Sequence, residues 1–181
     1  MIGPLAIEDP ERAERMSAAA AADPLEAARV AVEHLEIVAR GDLDAVEGNV
    51  TADFLNHRST QEPLETRAPG PAGLKATIAW LHRAFTDMRL ECHEVIVDGD
   101  CVAVYATFHG RQHGPFVVHD SPDGAVTAEF PSSGRSFAAR NIHLCRIRDG
   151  KVAEHDAVRD DAAMANQLGW VQPKQTSSSV V

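Results

Sequence analysis

The sequence predicts an α+β domain in which helices cover one face of a curved antiparallel sheet. Three observations predict it. Apolar residues recur at helical spacing as far as Phe85. After Thr86 the period switches to alternation and keeps it, with no helix-length pattern in between, until Asp160. Turn sequences, Asp98-Gly99-Asp100 and Asp149-Gly150 among them, then join the alternating stretches as hairpins. Helices first and strands afterwards is the order of an α+β layer. A strongly curved sheet closed by such helices forms a cone whose open end is a pocket.

Residues 1–23 begin irregularly and run into ERAERMSAAAAAD, a helical arm of high propensity with little besides Ala to bury. Asp23-Pro24 starts the first helix, with Asp as N-cap and Pro at the first helical position. Val32, Leu35 and Ala39 continue it and Gly41 stops it. Asp42 caps a short helix through Leu43 and Val46. TADFLNHRS is a short extended piece, and QEPLETRAPGPAG reads as a loop. Leu74, Ile78, Leu81 and Phe85 stripe a helix from about Pro71. MRLECHEVIV and CVAVYATFHG are paired strands, and RQHGPFVVHD continues the second. Turns at 121–124 and 131–134 flank a short strand, AVTAEF. Asp160 then begins the last helix, DDAAMANQLG, and residues 172–181 are a polar, Ser-rich tail expected to be disordered. The domain is expected over 24–171.

Composition excludes several function classes. The chain has 181 residues, 44% of them hydrophobic, enough for one core, and a net charge of −10 with no Lys/Arg cluster. That balance argues against a nucleic-acid or anionic-membrane partner. No apolar run has membrane-spanning length. Cys92, Cys101 and Cys145 are odd in number and scattered, so they suggest neither a disulfide framework nor a zinc site but small buried residues in a reducing cytoplasm. His109, His113 and His119 fall in one strand region, but a spacing of four along a strand is about 13 Å, too far to share an ion. No metal is expected. Aromatic content, 5%, is low.

The chemistry concentrates in RNIHLCRIRDGKVAEHDAVRD, Arg140 to Asp160. With Asp149-Gly150 as the loop, counting outward pairs Ile147 with Val152, Cys145 with Glu154 and His143 with Asp156. One face then mixes Ile147, Val152 and Val158 with Asn141, His143, Glu154 and Asp156, which suits a pocket wall as well as a half-exposed strand with a surface His–Asp pair. Asn56 and His57 follow the second helix. Tyr105, the only tyrosine, is placed to bond a carbonyl or simply to pack.

These residues in this order resemble the NTF2-like superfamily of cone-shaped α+β barrels, and within it the SnoaL-like polyketide (ester) cyclases. The stretches that carry the resemblance are ARVAVEHLEIVARGDLDAVEGNVTADFLNH, GPAGLKATIAWLHRAFTDMRLECHEVIVDGDCVAVYATFHGRQHGPF, PSSGRSF and CRIRDGKVAEHDAVRDDAAMANQLG. The resemblance implies a cofactor-free aldol condensation of a polyketide ester, a small hydrophobic ligand in the cone, and a homodimer. It implies an acid/base carboxylate on the last strand and an assisting His on the strand before it, which His143 matches. The family pattern Glu-His-Trp-Asp reads here Glu154-His155-Asp156-Ala157: Asp156 replaces the Trp, and Ala157 stands where the Asp would be. The segment from Val117 to Phe130 is longer than the family's usual connection.

The expected site is therefore Asp156 as base and His143 as donor to the oxyanion, with His57, Asn56, Asn141 and Tyr105 holding substrate. Two alternatives stand beside it. One is a non-catalytic binding protein with the same cone, which Ala157 and the low aromatic content favour. The other is a related epoxide-type hydrolase, whose Asp–Arg–Asp set has only Asp156, Arg159 and Asp160 to draw on.

Overall fold

The structure, a computed structural model, describes residues 23–170; the arm expected before Asp23 and the tail expected from Gln172 lie outside the described residues. Helix α1 (Pro24–Arg40) starts where Asp23 accepts from the Leu25 N–H at 3.0 Å and ends at Gly41, whose φ of 73° lets its N–H reach back to Ile37 and Val38. The short α2 (Val46–Asn49) leads into strand β1 (Val50–Asn56). The Pro-rich loop that follows holds two 3-10 turns, Ser59–Gln61 and Leu64–Arg67. Helix α3 (Pro71–Ala84) runs directly into β2 (Phe85–Asp98) and its hairpin partner β3 (Cys101–Gln112). Strands β4 (Phe116–Val118) and β5 (Ala128–Phe130) form a separate small ribbon. The expected hairpin is β6 (Ser136–Arg148) and β7 (Lys151–Arg159), and α4 (Asp161–Leu168), capped by Asp160, follows.

The main sheet has the order β1-β7-β6-β3-β2. All its pairs are antiparallel except β1 on β7, a parallel edge that the sequence reading did not foresee. The sheet is curved and does not close. Register irregularities bend β2 between Thr86 and Arg89, where Asp87 has a φ of 55°, and again between Cys92 and Glu94. The strand expected to continue through residues 111–120 breaks instead at His113-Gly114-Pro115. There the His113 and Gly114 N–H groups bond Ala84 O, and a side chain at Gly114 would collide with Arg83 O.

Helices α1 and α3 lay Ala27, Val30, Ala31, Leu35, Leu74 and Ile78 on the concave sheet face, against Val102, Val104 and Cys145. A second cluster gathers Trp80, Phe85, Phe116, Phe137 and Leu168. The convex face leaves Ile96, Ile142, Leu144 and Val158 exposed. No helix among the described residues is long and apolar enough to cross a membrane.

Candidate active site

A cavity of about 350 Å³ opens between the two clusters. The cavity draws on most of the aromatic residues of the chain: five of the six phenylalanines and both tryptophans line it, all but Phe108 toward one end. Trp170 stacks on Phe116 and Phe130 with centroids 5.1 and 4.4 Å away. Low aromatic content therefore does not weaken the pocket reading, because the few aromatic side chains converge on one place. The Val117–Phe130 segment is part of this wall: Val118 and Phe130, with Phe116 just before them, line the cavity, and Trp80 Nε1 donates to Val117 O at 2.9 Å. Gln112, fully buried, holds the segment. Its amide nitrogen donates to Gly114 O and Phe130 O, and its oxygen accepts from Ser133 and from Trp170 Nε1.

The other end is polar. The β6–β7 hairpin pairs Arg148 with Lys151 and Ile147 with Val152 as counted, and then shifts: Arg146 pairs with Glu154, Cys145 with His155, Leu144 with Asp156 and His143 with Ala157. Ala153 is the extra residue of a β-bulge, and Val152 and Ala153 are both buried. Because side chains alternate with a period of two, one extra residue turns the rest of β7 over. Asp156, expected as the base beside His143, consequently lies exposed on the convex side, where it accepts from the Ala157 N–H at 2.7 Å. His155 and Ala157 take the inward positions.

His143, Asn141 and Asn56 do line the cavity. His57 does not: it is exposed and pairs with Glu154 at 2.9 Å. Tyr105 pairs with Ile142 on the convex face and packs on His93 at 5.1 Å. His109 bonds Glu91, His113 bonds His82 O and His119 bonds Gly124 O, so these three point three ways. Among the cysteines only Cys145 is buried, its thiol pushed up to about 12 by that burial, whereas Cys92 is exposed on the edge strand β2. All three are free.

Sequence reasoning missed His34, His155 and Glu62. His34 sits on the buried stripe of α1 beside Val30, Ala31 and Leu35, a spacing visible in the sequence. Its Nδ1 is 2.9 Å from Asn49 Oδ1, and burial lowers its pKa to about 4. The signal for His155 was the apolar pair Val152-Ala153, two inward residues in a row. Glu62 is 3% exposed in a stretch read as plain loop, and it accepts from Thr77 Oγ1 at 2.6 Å. Desolvation raises its pKa, against the pull of Thr77, Arg159, Thr66 and Asn56. His143 Nδ1 lies 3.0 Å from His155 Nε2, and His155 Nδ1 lies 3.3 Å from Asn56 Oδ1. Burial lowers the His143 pKa to about 3, aided by His34 and Arg159. His155 is depressed well below its ordinary value, first by burial and then by His143. Arg159 places its guanidinium at the cavity edge, 3.2 Å from Asp161.

A curved sheet backed by helices, with an apolar cavity carrying a buried histidine on the penultimate strand, is a cone of the NTF2-like kind. The comparisons narrow the class. Residues 28–168 match the family described as SnoaL-like polyketide cyclase. The aklanonic acid methyl ester cyclase of Streptomyces peucetius is 31% identical over 137 residues, covering 74% of this chain and 86% of that protein. The nogalonic acid methyl ester cyclase of Streptomyces nogalater is 28% identical over 130 residues, covering 71% and 87%. Among solved structures, TsrD from Streptomyces laurentii superposes with a TM-score of 0.65 at 24% identity, over 83% of this chain and 99% of that one. A SnoaL-like polyketide cyclase from Agrobacterium tumefaciens gives 0.57 at 16% identity, over 77% and 95%. The chain belongs to the SnoaL-like polyketide cyclase family.

Proposed function

We propose that the chain catalyses a cofactor-free, aldol-type cyclisation of a hydrophobic, carbonyl-rich ester held in the cone. One observation carries this reading. On the polar wall of a largely apolar cavity, Asn141 Oδ1 and His143 Nε2 are buried without hydrogen-bond partners. Buried polar atoms left without partners are costly, so they suit a ligand that supplies its own carbonyls and hydroxyls. Arg159 at the cavity edge fits stabilisation of an enolate or alkoxide oxygen. The aromatic lining from Trp80, Phe85, Phe116, Phe130 and Trp170 fits a hydrophobic ester, and the relatives are named for acid methyl esters.

The test incubates purified protein with aklanonic and nogalonic acid methyl esters in the presence of a chelator and follows the products by chromatography and mass. The expected product is isomeric with the substrate. Tight binding without turnover would sink the cyclase reading and leave the binding-protein reading, which Ala157 on the inner wall favours. The exposed Ile142, Leu144 and Val158 on the convex face support a homodimer through that face; a monomeric mass in light scattering would exclude it. The three free cysteines accord with a cytoplasmic protein.

A further inference from the structure

We propose that the proton-abstracting group of this site is His143 Nε2, held as a bare acceptor by a hydrogen-bonded chain that runs back through His155 to Asn56. The proposal rests on the cyclase reading and moves the base from the last strand, where the inner position is Ala157, to the imidazole facing it.

The chain of bonds has one direction. The Arg58 backbone N–H donates to Asn56 Oδ1 at 3.0 Å. A backbone N–H can only donate, so the oxygen of the amide must face it, and the amide nitrogen is left to face Glu62, whose carboxyl it pulls down. The same Oδ1 meets His155 Nδ1 at 3.3 Å, so that ring nitrogen carries the proton. In a neutral imidazole the other nitrogen is then an acceptor. His155 Nε2 therefore accepts from His143 Nδ1–H at 3.0 Å, and His143 Nε2 keeps a free lone pair. That atom is buried and lacks any protein partner, on a residue that lines the cavity. Both rings are neutral because burial and neighbouring positive groups disfavour their charged forms.

This polarity differs from the expectation that His143 donates to an oxyanion. A ring locked in this tautomer has no proton to give until it takes one from the substrate. In the cyclisation, His143 Nε2 removes a proton from carbon flanked by carbonyls, and the C–H electron pair becomes the enolate. The enolate carbon then bonds the ketone carbonyl carbon, whose π pair moves to oxygen. The resulting alkoxide recovers the proton from His143 Nε2–H. One C–H and one C=O π bond are lost, one C–C and one O–H bond are formed, and nothing is oxidised. While the proton is on His143, His155 Nε2 accepts from its Nδ1–H and steadies the imidazolium. His155 is thus a positioning residue, as is Asn56.

Ring-nitrogen chemical shifts distinguish protonated from bare imidazole nitrogens, so ¹⁵N spectra of the ligand-free full chain at neutral pH test the chain of bonds without substrate. The expected pattern is a protonated Nδ1 and a bare Nε2 on both His143 and His155. A protonated Nε2 on His143 overturns the proposal. In Asn56→Leu the acceptor is gone, and the His143 pattern should change to mixed tautomers while the melting curve stays cooperative; an unchanged pattern overturns the role of Asn56. With methyl ester substrate, His143→Gln should lose about 10²–10⁴-fold in kcat, the range for a general acid–base group, with KM altered only a few-fold. Added imidazole should recover part of the turnover of His143→Ala. Full kcat in folded His143→Gln overturns the base assignment. A wild-type chain that turns over neither ester, with the expected nitrogen pattern intact, overturns the cyclase reading instead.

Discussion

The two ends of the cavity are built in opposite ways. The aromatic end is assembled from residues far apart in the chain: Trp80 on α3, Phe85 at the α3–β2 junction, Phe116 and Phe130 on the small ribbon, Phe137 on β6 and Trp170 after α4. Its shape depends on tertiary packing and on one buried amide, Gln112. The polar end comes mostly from local register: His143 and His155 are cross-strand diagonal neighbours, and Asn56 pairs with His155 across the parallel edge. A wall made by packing is broken by removing volume. One made by register is broken by proton chemistry and by single hydrogen bonds.

The largest effect is expected at the aromatic end. Phe85 is 2% exposed and its ring meets Phe116, Phe137 and Trp170. Phe85→Ala should cost about 3–5 kcal/mol by denaturant unfolding, transfer plus cavity. A loss below about 1 kcal/mol would mean that this wall is a loose cover rather than a packed one.

The polar end should respond to acid. His34 and His143 have folded pKa values lowered from 6.5 to about 4 and about 3, and His155 is lowered as well. For a histidine buried neutral, the unfolded chain binds the proton more readily. The stability is therefore complete above pH 6.5 and is lost as pH falls toward 4 and 3. His34 alone amounts to something on the order of 3 kcal/mol. Glu62, whose pKa is raised, has the opposite sign: its contribution is present below 4.5 and fades as pH rises through its folded value. Denaturant titrations between pH 7 and 4 should show falling stability with net proton uptake on unfolding. Flat stability across that window would mean that the histidines are hydrated.

Gln112→Leu joins the two descriptions, because a single amide fixes the packed wall. Leaving Ser133, Phe130 O and Trp170 Nε1 without their partner should cost about 1–3 kcal/mol. Amide exchange should quicken across residues 113–133 while β6 and β7 stay protected. Unchanged exchange there would show that the ribbon is held by its aromatic side chains alone.

How much of this was legible follows the same division. Helix caps at Asp23, Gly41 and Asp160, the stripe of α3 and the Asp149-Gly150 turn are local, and the structure has them where the sequence places them. His143 and Asn141 reach the cavity because alternation along β6 puts them on one face; the family resemblance places both Asn56 and His57 there, and only Asn56 lines it. The parallel edge and the aromatic end were not legible. Nothing local says that Phe116, Phe130 and Trp170 stack, because their contacts are set by where β3 breaks and how Gln112 ties the ribbon. Asp156 and His155 exchanged places for a different reason: a single extra residue in β7 inverts every position after it, and only the adjacent apolar pair Val152-Ala153 hints at it.

The smallest effects, and the sharpest check on that inversion, are expected on the convex side. Asp156 is the carboxylate that an uninterrupted count would set beside His143, yet its side chain caps its own neighbour's N–H in solvent. The family resemblance places His57 in the pocket, yet it forms an exposed pair with Glu154. Exposed pairs of this kind contribute about 0–1 kcal/mol. Asp156→Asn and His57→Ala should each shift stability by less than about 1 kcal/mol and leave turnover within a factor of two or so of the wild type, since neither reaches the cavity. A carboxylate acting as base at position 156 would instead make Asp156→Asn as damaging as His143→Gln. Deleting Ala153 tests the point from the other side. Without the bulge, Asp156 would turn inward opposite His143 and His155 outward, so the chain of bonds to Asn56 would be cut and a carboxylate put in its place. A stable deletion variant whose His143 Nε2 becomes protonated, as a donor to that carboxylate, would show that one residue of register decides which group in this cone holds the proton.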